Sequence, residues 1–241
     1  MILLRNDETF IQANTYVLAD DDARIALVVD AGAGSAAWVP QALAKRGLTL
    51  GAVLLTHGHA DHVWDAAAVA GDLPVYIPEP DMYRLENPAE WLANPNYLLA
   101  LTRMGTGEWT RPANVLPLPD EMLTGTFEIV PGVHIRAVPA PGHTEGSTVF
   151  LLDAVLTGDD PEGLGQTVEG PIHLMFAGDV LFKNGIGRTD MHGGDEYKMM
   201  ASLRLITQVI DPHTHVFPGH GPQTVLVHEM RHSPYLQAAM R

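Results

Sequence analysis

At 241 residues and 46% hydrophobic, the chain carries enough apolar material for a substantial core. Its 14 basic and 29 acidic residues give a formal net charge of −15, which argues against nucleic acid and anionic membranes as partners. The absence of cysteine excludes disulfides, a thiolate nucleophile and thiolate metal sites, so a metal here must be held by histidine and carboxylate.

Residues 15–19 and 25–29 read as neighbouring strands joined by the acidic turn Asp20-Asp21-Asp22. After Asp30-Ala31-Gly32 the chain turns, and helical spacing over residues 36–46 stops at Gly47. The buried strand 52–55 leads into His57-Gly58-His59-Ala60-Asp61-His62, where Asp61 is expected to cap a helix packed through Val63, Trp64, Ala67 and Ala68. Residues 74–78 form another short strand. Residues 80–114 lack strand character, carry a helix near 97–104, and are expected to be a covering insertion that walls a pocket.

Residues 127–130 and 133–138 predict a hairpin around Pro131-Gly132, with 148–152 continuing the sheet. An exposed hairpin loop is expected over 156–171, then a strand over 172–177, a helix over 194–210, a strand over 214–217 and a helical C-terminal end. Strands and helices mixed in two halves predict packed sheets with helices outside, in a single domain. No signal pattern and no apolar run of spanning length is present, so the expected location is cytoplasmic, with no membrane partner.

Four side chains of the 57–62 stretch can bind a metal. Three other strand ends carry ligand-type residues directly after a glycine: Gly142-His143, Gly178-Asp179 and Gly219-His220. In α/β architectures sites gather beyond the carboxyl ends of strands, and all four places fit that rule. The seven candidates exceed the three or four protein ligands that one zinc ion takes, and they suit two ions sharing a carboxylate. Histidines 134, 173, 192, 213, 215, 228 and 232 are read instead as surface or packed residues.

With these motifs in family order, the chain resembles the metallo-β-lactamase superfamily, and its finer motifs resemble the glyoxalase II-type thioesterases. The resemblance implies a four-layer αββα sandwich. It assigns His57, His59 and His143 to a first ion, Asp61, His62 and His220 to a second, and Asp179 to both. The implied cofactors are two divalent ions, zinc foremost, with iron or manganese as alternatives. The implied reaction is attack of a water activated between the two ions on an acyl carbonyl, a thioester of the hydroxyacylglutathione type first among them. Asp61 would also orient the nucleophile or accept its proton, or act as a ligand alone.

In such enzymes a basic residue at the position of Arg188 meets the substrate carboxylate, with Lys183 close by in the same segment. The alternative for Arg188 is an internal ion pair with Asp190. Only about twenty residues follow His220-Gly221-Pro222, so the glutathione-binding helical extension of full-length glyoxalase II is not expected here, and the resemblance extends to the shorter, single-domain members. His228-Glu229-Met230-Arg231-His232 imitates the zinc-protease pattern, but no third ligand follows, and helix packing and surface charge explain it better. Rival readings are a mononuclear-iron persulfide dioxygenase using His57, His143 and Asp179, a β-lactamase or lactonase on the same fold, and a non-enzymatic metal-binding scaffold. The sequence leaves the oligomeric state open.

Overall fold

The computed structural model of the chain describes residues 1–92, 94–157 and 170–241. Its strands form two six-stranded sheets among the described residues. The first holds β1 (Ile2–Asn6), β2 (Thr15–Ala19), β3 (Ile25–Val29), β4 (Thr49–Leu54), β5 (Val75–Ile77) and β6 (Val115–Pro117) in sequential order. β1 to β3 pair antiparallel and β3 to β6 parallel, the parallel steps being crossed by α1 (Ser35–Arg46), α2 (Ala60–Val63), α3 (Ala66–Ala70) and α4 (Tyr97–Met104).

After α5 (Asp120–Thr124) comes the second sheet: β7 (Phe127–Val130), β8 (Val133–Pro139), β9 (Thr148–Ala154), β10 (Ile172–Gly178), β11 (His215–Pro218) and β12 (Thr224–Val225). α6 (Glu196–Val209), α7 (Leu226–His232) and α8 (Pro234–Ala239) complete the chain.

The layers follow from the burial of each strand. β2 is buried at every position, as a central strand covered on both faces must be, whereas β8 alternates buried and exposed along most of its length. One core lies between the sheets, with Leu18, Leu27 and Leu54 meeting Ile135, Phe150 and Phe176. A second joins the outer face of the first sheet to α1 and α3 through Val39, Leu43, Ala66 and Ala70, and a third joins the other outer face to α6 and α8 through Leu203, Ile206 and Leu236. The result is the αββα sandwich expected from the sequence. Each buried Leu, Ile or Phe contributes roughly 1.5–3 kcal/mol, so the sheets are held in a fixed relation. That relation brings the C-terminal ends of β4, β8, β10 and β11 to one edge.

The helix after His62 differs from the sequence reading. Asp61 lies inside the first turn of α2, His59 is the N-cap residue, and no side chain caps this helix. The chain breaks at Asp65, whose carboxylate is drawn off by the backbone N–H groups of Gly34 (2.8 Å), Ala36 (3.1 Å) and Thr106 (3.0 Å). The break resets the helical phase. Ala66 and Ala70 are therefore the buried alanines, whereas Ala68 is exposed and Ala67 half-buried.

Within residues 80–114, Leu92, Tyr97, Leu101 and Trp109 pack around Phe10 and Trp64. Most of the hairpin loop expected over 156–171 lies outside the described residues. No helix among the described residues is long and apolar enough to cross a membrane.

Candidate metal centre

β4 ends at Leu54, and the next turn is fixed by a residue that sequence reasoning passed over. Asp30, in the left-handed region (φ 57°) that Asp tolerates better than most residues, accepts from the Thr56 N–H and the Thr56 hydroxyl, both at 2.8 Å. Its Oδ2 also meets His62 Nδ1 at 2.8 Å. One buried carboxylate thus orients the start of the turn and the ring at its end, leaving His62 Nε2 aimed away from Asp30. Its Asp-Ala-Gly position at the end of β3 resembles the other strand-end acids, and that was the available signal.

A second carboxylate ties two ligand loops together. Asp81 accepts from the Gly58 N–H (2.8 Å) and from the Gly146 N–H (2.7 Å), linking the turn that carries His57 and His59 to the turn that carries His143. Beside it lies Arg84, fully buried, with Nε 3.5 Å from Asp81 and Nη2 2.6 Å from Glu145. Neither residue was legible, because they lie in the irregular insertion and Asp81 bonds to backbone groups far along the chain.

The seven expected ligands come together. His57, His59 and His143 form one set, Asp61, His62 and His220 another, and His57, His62 and Asp179 an overlapping third, with ligand atoms of each set within 4.8 Å of one another. His59 Nδ1 faces His143 Nε2 at 2.8 Å, while His143 Nδ1 is occupied by the Arg188 carbonyl at 2.7 Å. His220 Nε2 lies 3.1 Å from Asp61 Oδ2 and 3.3 Å from His62 Nε2. Asp179 reaches both sides: its oxygens lie 3.3 Å from His62, 3.4 Å from His143 and 3.6 Å from His220.

Close approach requires glycine before His220, since a Cβ on Gly219 would stand 2.1 Å from Asp179 Oδ1. The His220 turn is held by Asn14 Nδ2, which donates to the Pro218 and Gly221 carbonyls at 2.9 Å each, and by the Tyr16 hydroxyl, which donates to Pro218 at 2.7 Å.

The donor chemistry fits divalent ions. His57 Nε2, His59 Nε2 and Asp179 Oδ1 are buried without hydrogen-bond partners, an arrangement that packing alone does not favour. Burial, reinforced by the surrounding imidazoles, pushes His57 well below its ordinary value, and burial with the His143 ring brings His59 to about 3. Both rings are neutral and offer lone pairs. Burial would raise Asp61 and Asp179, but His62 and His220 hold both carboxyls below their ordinary range, so they are ionised. Burial lowers His62, yet Asp61, Asp179 and Asp30 together carry it well above its ordinary value.

The remaining expectations fall on both sides. Arg188 lines the adjoining cavity of about 400 Å³, but its Nε and Nη2 donate to the two Asp190 oxygens at 2.7 and 2.8 Å, the ion-pair alternative. Lys183 is exposed and is not among the residues lining that cavity. In the stretch read as helix packing and surface charge, Glu229 is the fully buried member, accepting from the Thr224 hydroxyl (2.6 Å) and the Asn184 N–H (2.8 Å). It anchors the 183–190 loop because a buried carboxylate must find donors. The flanking His228 and His232 are exposed, so the zinc-protease likeness has no site behind it.

Comparison with known proteins agrees with this geometry. The model of the metallo-beta-lactamase superfamily matches residues 9–155. A probable metallo-hydrolase, YqgX, of Bacillus subtilis is 32% identical over 94% of this chain and 93% of its own. Hydroxyacylglutathione hydrolase GloC of Haemophilus influenzae is 29% identical over 95% of each chain. The crystal structure of TTHA1623 in a di-iron-bound form superposes with a TM-score of 0.69 at 29% identity, covering 96% of this chain and 99% of that one. By sequence, by fold and by its cluster of histidines and aspartates, the chain belongs to the metallo-β-lactamase superfamily.

Proposed function

We propose that the chain is a binuclear metallohydrolase that cleaves acyl bonds, thioesters foremost, in the cytoplasm. The observation that carries this reading is the Asp179 carboxylate, which contacts His143 of one histidine set and His62 and His220 of the other. His57, His59 and His143 would hold one ion, Asp61, His62 and His220 the second, and Asp179 both. Zinc is the first choice, and the di-iron form of a relative keeps iron in view, with manganese as a further alternative. When bound, such ions supply Lewis acidity toward an acyl carbonyl and lower the pKa of water from about 15.7 toward about 7.

The chain's own residues do the rest. Asp61 lines the cavity beside its contact with His220, a place from which its carboxylate can orient a water or take its proton. The apolar cavity wall limits bulk water around the acyl group. A leaving thiolate needs little protonation, which suits a site whose cavity-lining histidines, His59, His143 and His220, all belong to the ligand sets. The thioester preference draws on the hydroxyacylglutathione hydrolase relative. A one-iron persulfide site would leave Asp61, His62 and His220 without a task. A net charge of −15 speaks against a nuclease.

The test is a panel of thioesters, lactones, a β-lactam and a phosphodiester given to the zinc-loaded protein. Thioesters are expected to lead in kcat/KM by tenfold or more. Oxygen uptake with a persulfide and no acyl hydrolysis would sink the reading.

A further inference from the structure

The cavity beside the metal centre carries information about the substrate that the ligand set does not, and the following rests on the acyl-hydrolase reading above. One wall is Ile11, at φ 48° and ψ 25°, followed by Gln12 at φ 61°. A β-branched residue in the left-handed region is a strained outlier, and such strain persists only where the surroundings impose it. Here they do. The Phe10 N–H donates to the Ala33 carbonyl at 2.9 Å, and Ala13 forms a β-bridge with His220. The strained turn is thus continuous with a ligand turn, and it holds an apolar side chain, 48% exposed, at the cavity instead of burying it.

The same lining has an aromatic part that is braced. Trp91 stacks on His192 with ring centroids 4.0 Å apart and planes 17° apart. The buried Arg84 guanidinium lies 5.9 Å from the Trp91 ring and donates to the His192 carbonyl at 2.9 Å, so the stack is tied to the structure beneath it. Tyr97, also in the lining, packs edge-on against Phe10, the neighbour of Ile11, at 5.3 Å.

Charge points the same way. Arg188 is the one arginine or lysine among the described residues lining the cavity, and Asp190 takes its guanidinium in a two-pronged contact. A glutathione thioester brings two carboxylates, and among the described residues lining this cavity there is no unpaired guanidinium or ammonium to meet them. We propose that the physiological substrate is an uncharged thioester whose apolar acyl chain lies between Ile11 and Trp91, and that Ile11 is a specificity-determining residue.

The experiment uses the zinc-loaded full chain with N-acetylcysteamine thioesters of acetyl, butanoyl, hexanoyl and octanoyl groups, beside S-D-lactoylglutathione. Burial of each methylene predicts a rise in kcat/KM of roughly three- to fourfold until the cavity is filled, with the best neutral thioester at least tenfold ahead of lactoylglutathione. Ile11→Asn tolerates the left-handed backbone and adds polarity, and it is expected to lower the octanoyl-to-acetyl ratio at least tenfold. Ile11→Gly removes the side chain without strain and should lower the same ratio, with thermal unfolding confirming that both variants fold. A flat chain-length series, or lactoylglutathione ahead of every neutral thioester, would overturn this inference while leaving the hydrolase reading intact. No turnover of any acyl substrate would overturn both.

Discussion

Asp179→Ala is expected to reduce hydrolysis by about a thousandfold or more, because metal-ion stabilisation of the transition state is worth several kcal/mol and each 1.4 kcal/mol is about tenfold in rate. The reason is topological. Asp179 contacts members of both histidine sets, at 3.3 Å from His62, 3.4 Å from His143 and 3.6 Å from His220. Without it, His57, His59 and His143 remain a set of imidazoles with no carboxylate among them, and the pairing of the two sets loses its shared anion. Asp179→Asn keeps the shape and removes the charge, and it should fall nearly as far. Far-UV circular dichroism separates this loss from unfolding. Robust turnover by either variant would contradict the mechanism.

Asp81→Ala carries the largest expected cost in stability, about 3–5 kcal/mol by urea unfolding, the range for removing one partner from a buried ion pair. Asp81 and Arg84 are both fully buried. The substitution orphans the Gly58 and Gly146 N–H groups and leaves Arg84 with Glu145 and the His192 carbonyl as its hydrogen-bond partners. The same loss loosens the turns of His57, His59 and His143, so metal affinity should fall by about 10–100-fold, as for other residues that support metal ligands. Replacing both members, Asp81→Ala with Arg84→Met, should recover part of the stability, since no uncompensated charge remains buried. A loss below about 1 kcal/mol for Asp81→Ala would mean that the pair is not the clamp described.

What could be read from the sequence divides along physical lines. Strands such as β2, β3 and β10 announced themselves because an apolar run bounded by turn residues has few other folded states. The seven clustered histidines and aspartates were legible because imidazoles and carboxylates at strand ends, each near glycine, have no packing explanation. Asp81 and Arg84 were not, because their role depends on partners that only the fold brings near, including the Gly146 amide and the His192 carbonyl. The helix break at Asp65 was missed for a similar reason, its acceptors being spent on Gly34, Ala36 and Thr106.

Arg188 was read with two alternatives, and the ion pair with Asp190 is the one formed. Which residue of the 228–232 stretch packs inward was not legible, because a surface position and a buried one look alike in a short amphipathic segment, and Glu229 is the buried one.

The central claim is that two ions share Asp179, and metal quantification on the purified chain, reconstituted with zinc and freed of excess metal, tests it most directly. Two equivalents per chain are predicted, falling to one or fewer in Asp179→Ala. A single equivalent in the unaltered chain, above all one iron accompanied by oxygen uptake, would contradict it.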